Sequence, residues 1–211
     1  MKFPDYETWL KIVVNPEELA HMSKPNKHGY YKEKYEFALI WSMSRRPRWP
    51  RDVRPVIGEI GVRYGYSAAS FCFALPNAIY HGWDLIGGGH GGLKGEKDSF
   101  PYVMEMLARN LPQVEVHLTH ENSQLITSLD VQFDIFHVDG NHRCECTLHD
   151  MRLAFAALKP GGLMIVDDYT YIQGVHKAVG LFLEEENEKL LGYELIKEGF
   201  RGNALIWKKH E

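Results

Sequence analysis

Two apolar runs of the chain stop at acidic residues, and a histidine follows the first of them. Phe136-His137-Val138 leads into Asp139-Gly140-Asn141-His142, and Leu163-Met164-Ile165-Val166 leads into Asp167-Asp168. Each run reads as a buried strand, with a helix-length stretch and a Lys159-Pro160-Gly161-Gly162 turn between them. In an open α/β sheet ligands bind in the crevice outside the carboxyl ends of the strands, so Asp139, His142, Asp167 and Asp168 could converge on one site. A competing reading takes His142, Cys144, Cys146 and His149 as His-x-Cys-x-Cys-x-x-His, all zinc-competent ligand types. On a helix, His142, Cys146 and His149 share a face while Cys144 points elsewhere. Four-fold ligation would then need a local distortion, and ordinary thiols are the plainer reading.

A second set of residues follows the first strand, in Gly58-Glu59-Ile60-Gly61-Val62-Arg63-Tyr64-Gly65-Tyr66-Ser67-Ala68. Glycines in a strand-to-helix turn let the backbone approach a ligand closely, and the helix start offers unpaired amide donors to an anionic group. Ser67 either caps that helix or binds a carboxylate. About twenty residues on, the next strand ends at Trp83-Asp84, which puts an acid where it can hold ribose hydroxyls. A cofactor containing a nucleoside follows from the combination. The Gly-x-Gly-x-x-Gly fingerprint of a nicotinamide dinucleotide is missing, because Gly61 and Gly65 have no third partner.

The elements that must position these residues alternate from Val56 onward. Strands are expected at Val56–Ile60, Ala78–Trp83, Val114–Leu118, Phe133–Val138 and Leu163–Val166. Helices are expected near Ser67–Ala74, Phe100–Asn110, Leu148–Leu158 and Val175–Lys189. This rhythm predicts an α/β fold with a doubly wound, mostly parallel sheet. Tyr193–Ile196 and Ala204–Trp207 would close it with an antiparallel C-terminal hairpin. Residues 1–53 lack the rhythm and read as a small N-terminal helical cap or lid on a main domain of 54–211. The cap has a helix around Tyr6–Val14, a polar stretch at Pro16–Gly29 and a helix around Tyr31–Ser44. Its aromatic residues Trp9, Tyr30, Tyr31, Tyr35 and Trp41 either line an apolar pocket or, at helical spacing, form core. The run Gly87-Gly88-Gly89-His90-Gly91-Gly92 reads as a mobile loop beside the site.

A chain of 211 residues suits one domain with a sizeable core. With 24 Lys+Arg against 28 Asp+Glu there is no global basic footprint, and the one dense basic run, Arg45 to Arg51, reads as a solvated linker. Nucleic acid is therefore not the expected partner. Three cysteines do not make a disulfide framework, Met1-Lys2-Phe3-Pro4-Asp5 lacks a secretory apolar core, and no stretch approaches bilayer length. A cytoplasmic protein without membrane contact is expected.

The run Glu59-Ile60-Gly61 through Gly65-Tyr66-Ser67-Ala68 resembles the first motif of class I S-adenosylmethionine-dependent methyltransferases, notably the catechol-type O-methyltransferases. Asp139-Gly140-Asn141-His142, then Asp150, Leu158-Lys159-Pro160-Gly161-Gly162 and Asp167-Asp168-Tyr169, resembles the macrocin-type and aminocoumarin-type O-methyltransferases. The likeness spans Val56 to Tyr169 and implies a Rossmann-like fold and a set of roles. Gly61, Gly65 and Ser67 would surround the methionine part of S-adenosylmethionine, with Glu59 beneath it. Asp84 would hold the ribose, and Asn122 and Ser123 would lie against the adenine. Asp139, Asp167 and Asp168 match positions that bind a divalent cation, and Mg²⁺ prefers such oxygen ligands in octahedral geometry. Left without a cation, adjacent carboxylates repel and raise a pKa. The alternative is that Asp167 caps a turn and only Asp139 contacts the cofactor. His142, three residues after Asp139, matches the family's basic residue and would take the acceptor proton.

The expected function is Mg²⁺-dependent methylation of a small-molecule hydroxyl on a sugar or phenol, with Asp139 and His142 at the chemical step. Three alternatives stay open: a metal-independent methyltransferase, an enzyme like the cephalosporin hydroxylases, and a cofactor-binding protein without turnover. A homo-oligomer is compatible with the sequence.

Overall fold

A computed structural model of the 211-residue chain describes residues 3–14, 31–32, 34–36, 53–85, 98–197 and 201–210. The polar stretch Pro16–Gly29, most of the second cap helix with Tyr30 and Trp41, the basic run Arg45 to Arg51 and the glycine run Gly87 to Gly92 lie outside those residues.

Among the described residues, α1 spans Tyr6–Val13. The alternating region contributes β1 (Val56–Ile60), α2 (Tyr66–Ala74), β2 (Ile79–Asp84), α3 (Phe100–Asn110), β3 (Glu115–His120), β4 (Phe133–Val138), α4 (Cys144–Ala156), β5 (Leu158–Val166), α5 (Gln173–Glu185), β6 (Leu190–Ile196) and β7 (Asn203–Lys208). The strands form one seven-stranded sheet in the order β3-β2-β1-β4-β5-β7-β6. β4 pairs in parallel with both β1 and β5, while β7 runs antiparallel to both β5 and β6. This is a Rossmann-like doubly wound sheet closed by an antiparallel hairpin, with the chain reversing direction from β1 outward.

β6 begins at Leu190 rather than Tyr193 and α5 ends at Glu185 rather than Lys189, and two further elements differ from the periodicity for a local reason. α4 begins at Cys144, four residues before the first apolar position of its stripe, because its first turn is polar and its buried face starts at Thr147 and Leu148. The Lys-Pro-Gly-Gly segment lies inside β5 rather than before it. The β4/β5 register jumps from Phe133↔Leu158 to Ile135↔Leu163, so these residues form a bulge within the pairing. Gly161 supplies its left-handed backbone (φ 75°), and Lys159 Nζ anchors it to Asp134 at 2.7 Å.

The chain divides into two compact units. The first comprises Met1–Pro55, Val62–Tyr80 and Ile86–Leu118. Its α1 is capped by Asp5, whose carboxylate accepts the Thr8 amide at 2.8 Å. Trp9 and Val13 are fully buried, and Tyr35 packs against Phe3, Tyr6 and Trp9. Tyr102 of α3 donates to the Val13 carbonyl, and the Tyr31 ring meets Tyr66 of α2 edge-on. Trp9 and Tyr31 are thus core and Tyr35 is half-buried, and the Tyr31 and Tyr102 contacts fasten the N-terminal segment to α2 and α3. The second unit comprises Val56–Gly61, His81–Leu85 and Thr119–Glu211. Its core joins Phe133, Phe136 and Val138 of β4 to Met151 and Phe155 of α4 and to Val175, Val179 and Phe182 of α5.

Candidate functional site

Backbone hydrogen bonds carry on past the strands and tie their carboxyl ends into a row within the second unit. Glu121 N–H donates to the Asp84 carbonyl at 3.2 Å, Gly61 to Trp83 at 2.9 Å, Asp139 to Ile60 at 2.9 Å and Asp167 to Val138 at 3.0 Å. The acids expected from sequence therefore follow along this row: Asp84 as the last residue of β2, Asp139 after β4 and Asp167-Asp168 after β5, with the Gly61 turn after β1 between the first two. Asn122 follows β3 and caps a 3₁₀ turn over Ser123–Leu125, its side chain accepting the Gln124 amide at 3.1 Å.

Gly61 needs its glycine. It holds φ 96°, and a Cβ there would overlap the Asp139 carbonyl, so the turn after β1 lies directly on the turn after β4. In the first unit, Gly65 caps α2 in the left-handed region (φ 75°), with its Cβ direction filled by Val103 at 2.8 Å, and Ser67 is buried in the helix it opens.

His142 stands between two carboxylates. Its Nε2 lies 3.4 Å from Asp139 Oδ1 and 3.4 Å from Asp168 Oδ2. The hydrogen bond to Asp139 raises its pKa above the usual 6.5; burial opposes that shift, and the charges of Asp139, Asp168 and Asp167 add to it. The turn that carries it is braced by Thr147 Oγ1, which donates to the Asn141 carbonyl at 3.0 Å. Gly174, at the start of α5, lacks a side chain where one would overlap the His142 carbonyl.

Asp168 is fully buried and left-handed (φ 59°). Arg201 Nη1 reaches its two oxygens at 3.2 and 3.3 Å. Arg201 arrives there because Tyr169 and Thr170 donate to the Gly202 and Arg201 carbonyls, which pins the turn after β5 to the residues just before β7. Asp167 Oδ1 accepts the Asp168 amide at 2.9 Å.

The acidic trio falls into two overlapping groups, His137-Asp139-Asp167 and Asp139-His142-Asp168, each with its ligand atoms within 4.8 Å of one another. Asp139 belongs to both. Asp167 and Asp168 fall in different groups, each completed by a histidine, and the carboxylate oxygens in either group are of the kind a hard cation such as Mg²⁺ takes. The zinc reading fails on direction. His142 points to Asp139 and Asp168, whereas His149 Nε2 bonds the carbonyls of Ser123 and Ile126 at 2.9 and 3.2 Å, which requires it to be the protonated nitrogen.

Glu59 is completely buried and bonds His137 Nδ1 at 2.8 Å, across the register that pairs the two residues. Reading the sequence passed over His137, although a polar residue one place before the end of each of two adjacent buried strands was a signal. It also passed over Arg201, which no local pattern marks, and over Gln124, whose amide bonds Asp150.

A family model described as a methyltransferase domain matches residues 59–169, and the chain belongs to that family. The match covers the Gly61 turn, the Asp84 strand end and the whole acidic cluster. No curated protein matches the sequence. Among solved structures, a methyltransferase from Podospora anserina with bound S-adenosylhomocysteine superposes with a TM-score of 0.64 at 17% identity, over 98% of this chain and 89% of that one. An O-methyltransferase from Bacillus cereus, also in complex with S-adenosylhomocysteine, gives 0.60 at 15% identity over 97% and 90%. An rRNA methylase from Streptococcus thermophilus gives 0.53 at 11% identity over 75% and 88%. At these identities the likeness is one of fold.

Proposed function

We propose that this protein is an S-adenosylmethionine-dependent O-methyltransferase acting on a small-molecule hydroxyl with the help of a divalent cation. The observation that carries the reading is His142 Nε2 lying 3.4 Å from both Asp139 and Asp168, in the row of strand ends that also holds Gly61 and Asp84. S-adenosylmethionine, once bound, supplies an electrophilic sulfonium methyl group. A hard cation at Asp139, Asp167 and Asp168 supplies a Lewis acid that lowers the pKa of an acceptor hydroxyl. Every other task falls to the chain. Asp84 holds the ribose hydroxyls, Asn122 and Ser123 lie along the adenine, and Gly61 keeps the turn after β1 free of a side chain beside the methionine part. Glu59, held by His137, keeps the floor beneath Gly61 rigid. His142 accepts the hydroxyl proton on its imidazole, and the carboxylates beside it stabilise the resulting imidazolium.

An RNA acceptor finds little support in a chain with more acidic than basic residues. An iron oxygenase needs two histidines and one carboxylate, whereas both groups among the described residues hold two carboxylates and one histidine. One observation favours a second reading, metal-independent methylation: Arg201 already sets a cation on Asp168.

Calorimetry tests the cofactor. Binding of S-adenosylhomocysteine with a micromolar Kd, roughly −8 kcal/mol, is expected. Heat with NADH and none with S-adenosylhomocysteine would overturn the assignment. Turnover with Mg²⁺ and then with chelator decides between the two readings, an unchanged rate in chelator selecting the metal-independent one. Asp168→Asn should lower turnover by about 10²-fold or more while S-adenosylhomocysteine still binds.

A further inference from the structure

Asp168 is fully buried, and a buried carboxylate keeps its charge only beside a partner. The chain supplies a cation for it. Arg201 Nη1 lies 3.2 Å from Oδ1 and 3.3 Å from Oδ2, so one nitrogen stands almost equally far from both oxygens. That is the position a metal ion held by both oxygens of a carboxylate takes. A guanidinium does not deprotonate in proteins, so a change of pH does not vacate the position. Asp168 Oδ2 is also 3.4 Å from His142 Nε2, which puts the arginine at the edge of the Asp139-His142-Asp168 group.

Backbone geometry delivers Arg201 to this place. Thr170 donates twice to the Arg201 carbonyl, from its amide at 2.9 Å and from Oγ1 at 2.6 Å. Gly202, next in the chain, is left-handed (φ 66°), and a Cβ there would meet the Thr170 side chain at 2.6 Å and the Ile196 carbonyl oxygen at 2.7 Å. The guanidinium carbon lies 5.2 Å over the centroid of the Tyr171 ring, within cation–π range. The turn after β5 therefore carries the carboxylate and also grips the residue that neutralises it. The Arg201 side chain is 22% exposed and that of Asp168 1%, so water screens the pair weakly.

We infer that Arg201 is a positioning residue that competes with a divalent cation for Asp168 and so lowers the metal affinity of the site, an inference that rests on the proposed cation at Asp139, Asp167 and Asp168. A dication beside Asp168 meets the positive charge of the guanidinium a few ångström away and finds the place between the two oxygens taken. Without the guanidinium, Asp168 is a buried charge that has lost its partner, and a dication neutralises it. Loss of Arg201 should therefore tighten metal binding. A residue that merely braced the turn would do the opposite, because its loss would scatter the ligands.

Titration of the full chain with Mn²⁺, the free ion being followed by electron paramagnetic resonance, reads this without any turnover. Arg201→Gln should bind Mn²⁺ about tenfold more tightly than wild type or better, the scale on which one charge a few ångström away biases a carboxylate. The gain should vanish when Asp168→Asn is added. An Arg201→Gln variant that binds Mn²⁺ no more tightly than wild type, or a gain that survives Asp168→Asn, overturns the inference and leaves the cation site standing. If neither wild type nor Arg201→Gln binds Mn²⁺ while both bind S-adenosylhomocysteine, the cation site is overturned, and the inference with it. If Arg201→Gln does not fold, Tyr171→Ala takes its place, at a position 60% exposed. Loosening the guanidinium in this way should tighten Mn²⁺ binding about threefold, and an unchanged affinity overturns the inference.

Discussion

At the end of β1 the left-handed position is Gly61 (φ 96°), and at the end of β5 it is Asp168 (φ 59°). Both turns sit in the row of strand ends, yet they are built on opposite terms. The β1 turn gives up its side chain, because the space a Cβ would need belongs to the Asp139 carbonyl. The β5 turn keeps a side chain in a conformation that costs most residues about 1–2 kcal/mol. Asp tolerates that region better than most, and its carboxylate is held by Arg201 and approached by His142. The contrast shows where backbone is the useful surface and where a side chain is. At Gly61 one turn packs its bare backbone on another, whereas Asp168 accepts strain to place a charge.

Four changes test that contrast, the largest first. Gly61→Ala should cost more than about 4 kcal/mol, because the clash is with backbone that cannot step aside and the φ is unfavourable as well. Urea unfolding, or failure to obtain soluble protein, would show it; a wild-type midpoint would mean the β1 turn is not packed against Asp139. His142→Ala should leave S-adenosylhomocysteine affinity unchanged and lower single-turnover rates by about 10² to 10⁴. That loss should shrink at high pH, where the acceptor ionises unaided, and a fully active variant would remove His142 as the base.

Third comes the turn after β4, which lies over Asp150. The Asp150 carboxyl is raised from 3.8 to about 6 on folding, so the folded protein binds more protons than the unfolded chain between those values. Stability should therefore fall as pH rises through that window and level off above it. Asp150→Asn has no such group. Its stability relative to wild type should be greater by about 2–3 kcal/mol at neutral pH than in the acid limit of the window. Parallel denaturation curves at the two pH values would show a constant difference if the acid is not buried. The smallest effect separates glycine from alanine at position 168. Both lose the carboxylate, but only alanine keeps the left-handed penalty, so Asp168→Gly should be more stable than Asp168→Ala by about 1 kcal/mol. Equal stabilities would mean that the turn relaxes.

Most of the sheet was legible because burial imposes a simple pattern. Strands covered on both faces read as continuous apolar runs, and β1, β4 and the end of β5 stand out in that way. The acids could be found for the same reason, each being the first polar residue after such a run. Legibility failed where polarity lay inside the run. His137 breaks the apolar stretch of β4, and only the parallel register Glu59↔His137 reveals its partner. It failed again at the bulge in β5, where Pro160 and two glycines read as a turn although the strand continues through them.

The sequence alone determined the order of strands and helices, the glycine at the close of β1 and the set Asp84, Asp139, His142, Asp167 and Asp168. These features are local: each depends on residues within a few positions of one another and on whether their neighbours must be buried. The tertiary structure decided what those groups face. Arg201 meets Asp168 from 33 residues away because β7 inserts between β5 and β6 and brings the segment before it onto the β5 turn. Gln124 meets Asp150 from 26 residues away because α4 crosses beneath the turn after β3. Such pairings depend on register and packing between distant segments, and no local periodicity encodes them, because many arrangements of the same elements bury the same apolar residues.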